Sequence, residues 1–163
     1  MITAVHHFAL TVADVERSVV FYRGLGFDVA ADRELCGGYV EEITGVTGAD
    51  VRVVLLSGFG HNLELIEYRH PRGRPRAGAS PDVGTAHVCL MTDDLEAEIE
   101  RLRASCAAFR TAAPVTVTSG PNQGARAIYA EDPDGNAVEL VQPAEKLQRR
   151  PSVARTAKRT RDR

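Results

Sequence analysis

Cysteine is scarce in this 163-residue chain, and the three present, Cys36, Cys89 and Cys106, are an odd number. They show no C-x-x-C spacing, which excludes a disulfide framework. Their expected role is to pack as small hydrophobes in a reducing compartment. Long hydrophobic runs are also missing, because charged residues interrupt every apolar stretch; no segment can span a bilayer. The first strand-like segment begins almost at Met1, which leaves no room for a signal or transit peptide, and the expected location is cytoplasmic. What remains is 44% apolar, enough for one good core or for two small modules that share one.

Positive charge is lacking over most of the chain. From Lys146 onward there are eight basic residues against Asp162, whereas the remainder has twelve basic and twenty-one acidic residues. A body of −9 with a tail of +7 argues against the body gripping nucleic acid. The tail, residues 144–163, has no apolar periodicity and is expected to be disordered.

The most informative positive feature is an internal repeat. His7-Phe-Ala-Leu-Thr-Val-Ala-Asp14-Val-Glu16 returns as His87-Val-Cys-Leu-Met-Thr-Asp-Asp94-Leu-Glu96, and Gly60-His-Asn-Leu-Glu64-Leu-Ile66 as Gly135-Asn-Ala-Val-Glu139-Leu-Val141. Repeats of this length mark paired supersecondary units. Each unit carries one histidine near its start and one glutamate near its end. His7, Glu64, His87 and Glu139 are thus candidate ligands for a single divalent metal; such a set suits Ni, Co, Mn, Fe or Zn and leaves coordination positions open.

Periodicity predicts the elements. Residues 4–12 alternate as a strand, a helix starts at about Asp14 with Val15, Val19 and Tyr22 on one face, and strands follow over Phe27–Arg33, Val51–Leu56 and Leu63–Tyr68. Tyr39–Ile43 is read as a possible addition to the sheet. In the second half, His87–Met91 is a strand, Asp93 is read as an N-cap with Glu96 completing a capping box, and Leu95, Ile99, Leu102 and Cys106 form a helix stripe. Strands follow around Val115–Thr118, Ala125–Tyr129 and Ala137–Gln142. The plan is βαβββ twice in an α+β fold, with module one at about 4–69, a Pro/Gly/Arg-rich connector at about 70–83 and module two at about 84–143. Period two within each strand puts all four candidate ligands on the face turned away from the helices. His6 is read as structural, and His61 and His70 as turn and connector residues. The Arg69, Arg72, Arg74 and Arg76 cluster is a candidate clamp for a phosphate, carboxylate or CoA tail; a solvated linker is the alternative. Tyr68 and Asn62 share the face of Glu64, and Glu41 and Glu42 are spare carboxylates.

Taken together, His7-Phe-Ala-Leu-Thr-Val-Ala-Asp14, Phe21-Tyr22, Leu25-Gly-Phe27, Asn62-Leu-Glu-Leu-Ile-Glu-Tyr68, Gly84-Thr-Ala-His87 and Asp132-Pro-Asp-Gly-Asn-Ala-Val-Glu-Leu-Val-Gln-Pro143 resemble the vicinal oxygen chelate superfamily of glyoxalase I, epimerases, extradiol dioxygenases and fosfomycin-resistance enzymes. One residue is missing between Tyr22 and Leu25 relative to the common spacing. The resemblance implies a curved, cavity-enclosing mixed sheet (glyoxalase-like) and a single domain over residues 1–143. It implies a metal held by His7, His87 and Glu139, with Glu64 as the fourth ligand found in the isomerase and epimerase branch. It further implies Glu139 or Glu64 as the base. Such an enzyme, an isomerase, epimerase or lyase, would polarise a carbonyl with a vicinal oxygen and move the adjacent proton through an enediolate. Its partners would be a small-molecule substrate and a second copy in a homodimer, with no specific nucleic acid and no membrane. The alternatives are an Fe(II) dioxygenase using His7, His87 and Glu139, and a metal-free small-molecule-binding or resistance protein.

Overall fold

A computed structural model describes residues 1–75, 80–105 and 107–144. The first half runs β1 (Phe8–Thr11), α1 (Val15–Gly24), β2 (Asp28–Cys36), α2 (Gly38–Thr44), β3 (Asp50–Gly58) and β4 (His61–His70). The second runs β5 (His87–Met91), α3 (Leu95–Ala104), β6 (Ala108–Phe109), β7 (Val115–Thr116), β8 (Arg126–Glu131) and β9 (Ala137–Gln142). The strands form two mixed sheets, ordered β1-β4-β3-β2 and β5-β9-β8-β6, with β7 also pairing to β8. In each sheet the first strand of the module runs parallel to the last, β1 beside β4 and β5 beside β9, while the remaining pairings are antiparallel. The architecture is therefore α+β, with two modules of one plan forming a curved, open arrangement.

Both long helices form where the apolar stripes lie. In α1, Asp14 caps the start by accepting from the Arg17 amide at 3.0 Å, and Val15, Ser18 and Tyr22 are buried. In α3 the cap is Asp94, not Asp93, because its side chain accepts from the Ala97 amide at 3.0 Å. An N-cap side chain reaches the third helical amide, and only Asp94 stands at that distance. Leu95, Ile99 and Leu102 are buried as the stripe requires; Cys106 lies outside the described residues.

Three sequence expectations need correction. Tyr39–Ile43 is not a strand but lies in α2, a seven-residue helix that buries only Val40, so its burden on the hydrophobic pattern is one residue. Module two gains β6, too short at two residues to show alternation. The strand expected over Val115–Thr118 narrows to Val115–Thr116. The basic tail from Lys146 and Arg76 lie outside the described residues.

One continuous core joins the modules: Val12, Val15, Tyr22, Leu25, Phe27, Val54, Leu56, Leu63 and Leu65 of the first pack with Leu95, Ile99, Leu102, Ile128, Val138 and Leu140 of the second. Each fully buried aliphatic side chain contributes about 1.5–3 kcal/mol of transfer free energy. A smaller cluster of Val40, Ala49 and Val51 seats α2 on the first sheet.

A polar lock crosses the seam. Asp132, only 4% exposed, accepts at Oδ2 from the Tyr22 hydroxyl (3.0 Å) and the Asn136 side-chain amide (2.9 Å), and at Oδ1 from the Asp134 and Asn136 backbone amides (2.9 and 2.8 Å). The next carboxylate in the same turn, Asp134, accepts from the Ala13 amide (3.1 Å) and from Arg17 (2.7 Å) at the head of α1. Burial, followed by the neighbouring Asp132 carboxylate, pushes the Tyr22 phenol well above its ordinary range, so it stays a donor. Gly135, at φ 80°, closes the turn. Among the described residues, no helix is long and apolar enough to cross a membrane.

Candidate active site

Register places the four candidate ligands in two equivalent pairs. Ala9 stands opposite Glu64 in the β1–β4 ladder, and Cys89 stands opposite Glu139 in the β5–β9 ladder. In each module the histidine lies two residues before that position, on the same side of the pleat. The side chains meet: His7 Nε2 is 3.4 Å from Glu64 Oε1, and His87 Nε2 is 3.2 Å from Glu139 Oε2. Leu63 and Leu65, and Val138 and Leu140, point the other way and are buried. The glutamates therefore sit on the helix-free face, four-fifths buried, with their imidazoles more exposed.

The two pairs do not converge within one chain. Among the described residues, no three of His, Cys, Asp and Glu are grouped so as to hold a metal ion. His7 borders a crevice of about 90 Å³ with His6, His61 and Asn62. His87 lines a much larger open cavity of about 940 Å³, bounded by Ala9–Ala13, the connector from Arg72 to Pro75, and Tyr129.

Several residues near these pairs were not assigned to the site by sequence reasoning. His6, expected to be structural, has its Nδ1 2.8 Å from Nδ1 of His7, which leaves the His7 Nε2 facing Glu64. Both precede the first ladder residue, Phe8, so strand alternation does not separate them. The Asn62 amide donates to the His6 carbonyl at 3.0 Å and steadies this segment. In module two, Glu139 is flanked in register by Cys89 on β5 and Tyr129 on β8. Partial desolvation, reinforced by Glu139, pushes the Cys89 thiol up to about 11 and the Tyr129 phenol upward; Cys36 and Cys89 are exposed rather than packed as small hydrophobes. The Tyr129 ring meets His87 edge-on at 5.5 Å, and Arg110 covers the same ring at 5.6 Å. No period or motif marks Tyr129; only its register opposite Glu139 reveals it. Glu41 and Glu42 lie on α2, and Tyr68 lines the larger cavity.

Chemically, each half-site offers an imidazole nitrogen beside a carboxylate oxygen, a combination that can bind a divalent ion or relay a proton.

Comparison with known proteins identifies the family and the fold. A family model of the Glyoxalase/Bleomycin resistance protein/Dioxygenase superfamily matches residues 4–140. A 2-epi-5-epi-valiolone epimerase from Actinomyces sp. is 33% identical over 143 residues, spanning 85% of this chain and 78% of the relative. Among solved structures, a glyoxalase family protein from Bacillus cereus superposes with a TM-score of 0.77 at 16% identity, covering 88% of this chain and 96% of that one. A glyoxalase I variant from Zea mays gives 0.62 at 21% identity, covering 85% and 45%. At these identities the structures establish the fold alone.

Proposed function

Since the chain belongs to the Glyoxalase/Bleomycin resistance protein/Dioxygenase superfamily, we propose that it is a divalent-metal-dependent epimerase or isomerase acting on a ketone with a vicinal oxygen. The observation that carries this reading is the duplicated His–Glu pair at one register in both modules, in a chain one-third identical to an epimerase.

The donors fit a metal in kind and in spacing. Imidazole nitrogen and carboxylate oxygen suit Ni, Co, Mn, Fe or Zn. Two ligands each about 2.1 Å from an ion, on adjacent positions, stand about 3 Å apart, close to the 3.4 and 3.2 Å within each pair. His7 and Glu64 would hold one side of the ion and His87 and Glu139 the other. Because the pairs stay separate in one chain, the full set forms when a second copy presents its complementary pair, and the active species is a homodimer. When bound, the ion supplies Lewis acidity toward the carbonyl oxygen.

The chain's own groups do the rest. One glutamate accepts the proton from the carbon beside the carbonyl, and the C–H bonding pair moves toward the carbonyl oxygen. The second glutamate returns a proton to the opposite face of that carbon, which inverts it. Glu64 and Glu139, one per module, supply the two faces. His6 and Asn62 orient His7, and Tyr129 orients His87 and Glu139.

Incubation of the purified protein with 2-epi-5-epi-valiolone in D2O tests the proposal. Deuterium should enter beside the carbonyl with inversion, and the protein should carry a stoichiometric divalent ion. Glu64→Gln and Glu139→Gln should each slow exchange by about 10²–10⁴-fold. Oxygen uptake with a catechol would instead establish the dioxygenase reading, and a protein that binds no metal would overturn both.

A further inference from the structure

The larger cavity has a charge pattern that the proton chemistry does not use. Its lining includes Arg72 and Arg74 from the described start of the connector, and Arg110, Tyr129 and His87 from module two. Arg110 is committed: its Nε donates to Glu131 at 3.1 Å, it also donates to the Ser80 hydroxyl, and its guanidinium covers Tyr129. The single lining carboxylate, Asp134, is equally committed to Arg17 and the Ala13 amide. Among the described residues, neither Arg72 nor Arg74 has an ion-pair partner. Both line the cavity of about 940 Å³ that His87 also lines.

We propose that Arg72 and Arg74 hold a compact oxyanion, a phosphate or carboxylate group, in the inter-module cavity they line. A guanidinium presents a planar fork of donors that matches such oxyanions, and two of them side by side give charge and orientation together. Ser80, held by Arg110 and accepting from the Thr85 hydroxyl at its carbonyl (3.0 Å), anchors the returning limb of the connector to module two. The anion site does not rest on the function proposed above, whose test ketone carries no such group.

The test is a titration of the full-length protein, without turnover, followed by amide chemical shifts. One arm uses inorganic phosphate, a second uses acetate, and sodium chloride at matched ionic strength is the control. Saturable shifts at Gly73, Gly84 and Gly135 are expected, and the tighter arm identifies the oxyanion. Arg72→Gln combined with Arg74→Gln should weaken that binding at least tenfold while the rest of the spectrum keeps its dispersion. Shifts no larger than with chloride, or an affinity unchanged in the double variant, would overturn the proposal. Failure here together with intact proton exchange on the neutral ketone sinks this inference alone. Anion binding without any exchange sinks the epimerase reading alone.

Discussion

The two modules build the same His–Glu pair and then surround it differently. Ala9 beside Glu64 corresponds to Cys89 beside Glu139, and Leu55, opposite Glu64, corresponds to Tyr129, opposite Glu139. Glu139 consequently pairs with His87 between a thiol and a phenol in register, whereas Glu64 faces His7, itself braced by His6. The duplication extends to an ion pair from helix to sheet: Arg52 reaches Glu16 in module one, and Arg126 reaches Glu96 in module two. Module one adds Asp32 to its arginine. The hairpins diverge most. Module two's turn inserts Asp132 into the seam, while module one's turn carries Phe59, 66% exposed, against Phe27. Gly26 makes room for that ring, since a Cβ there would lie 2.9 Å from Phe59. Shared positions thus carry the candidate ligands, and divergent ones join the halves and change the surroundings of each pair.

The largest effect should come from breaking the hairpin asymmetry. Asp132→Ala leaves buried donors without an acceptor and should cost about 3 kcal/mol, whereas Phe59→Ala should cost less than about 1 kcal/mol. Urea denaturation of the two variants checks this, and equal losses would erase the distinction. The next effect concerns the carboxylate environments. Iodoacetamide labelling of Cys89 should accelerate with pH up to about 11. In Glu139→Gln the midpoint should fall yet stay above an ordinary thiol's, because burial is the larger cause. The smallest effect is at Arg52. Its guanidinium holds the Asp32 carboxyl below the usual range, so the contribution is present above the ordinary carboxylate pKa and fades as pH falls through the lowered value. Asp32→Asn should lower stability at neutral pH by at most about 0.5 kcal/mol, given solvent screening, and by nothing measurable in strong acid.

Much of this was legible in the sequence because period and offset survive folding. The alternation around Glu64 and Glu139 put Leu63, Leu65, Val138 and Leu140 inward, and the repeat singled out the two His–Glu pairs. What stayed hidden depends on single residues or on tertiary contact. Seven residues with one buried side chain give α2 no stripe, and two residues give β6 no alternation. Adjacent aspartates made the α3 cap ambiguous by one position until the Ala97 amide chose Asp94. Asp132-Pro-Asp-Gly135 has the composition of a turn, and nothing local shows that the Tyr22 phenol of the other module donates to its first carboxylate. The separation of the two pairs within one chain was equally invisible, since spacing along the sequence does not report how modules face each other.

The Tyr22–Asp132 contact has a consequence for how the half-sites can meet. Swinging one module against the other would drag the Asp132 carboxylate away from its phenol donor and strip the head of α1 of Asp134. Adding a second polypeptide disturbs neither. The clasp therefore fastens the two modules of one protomer to each other at a buried polar seam.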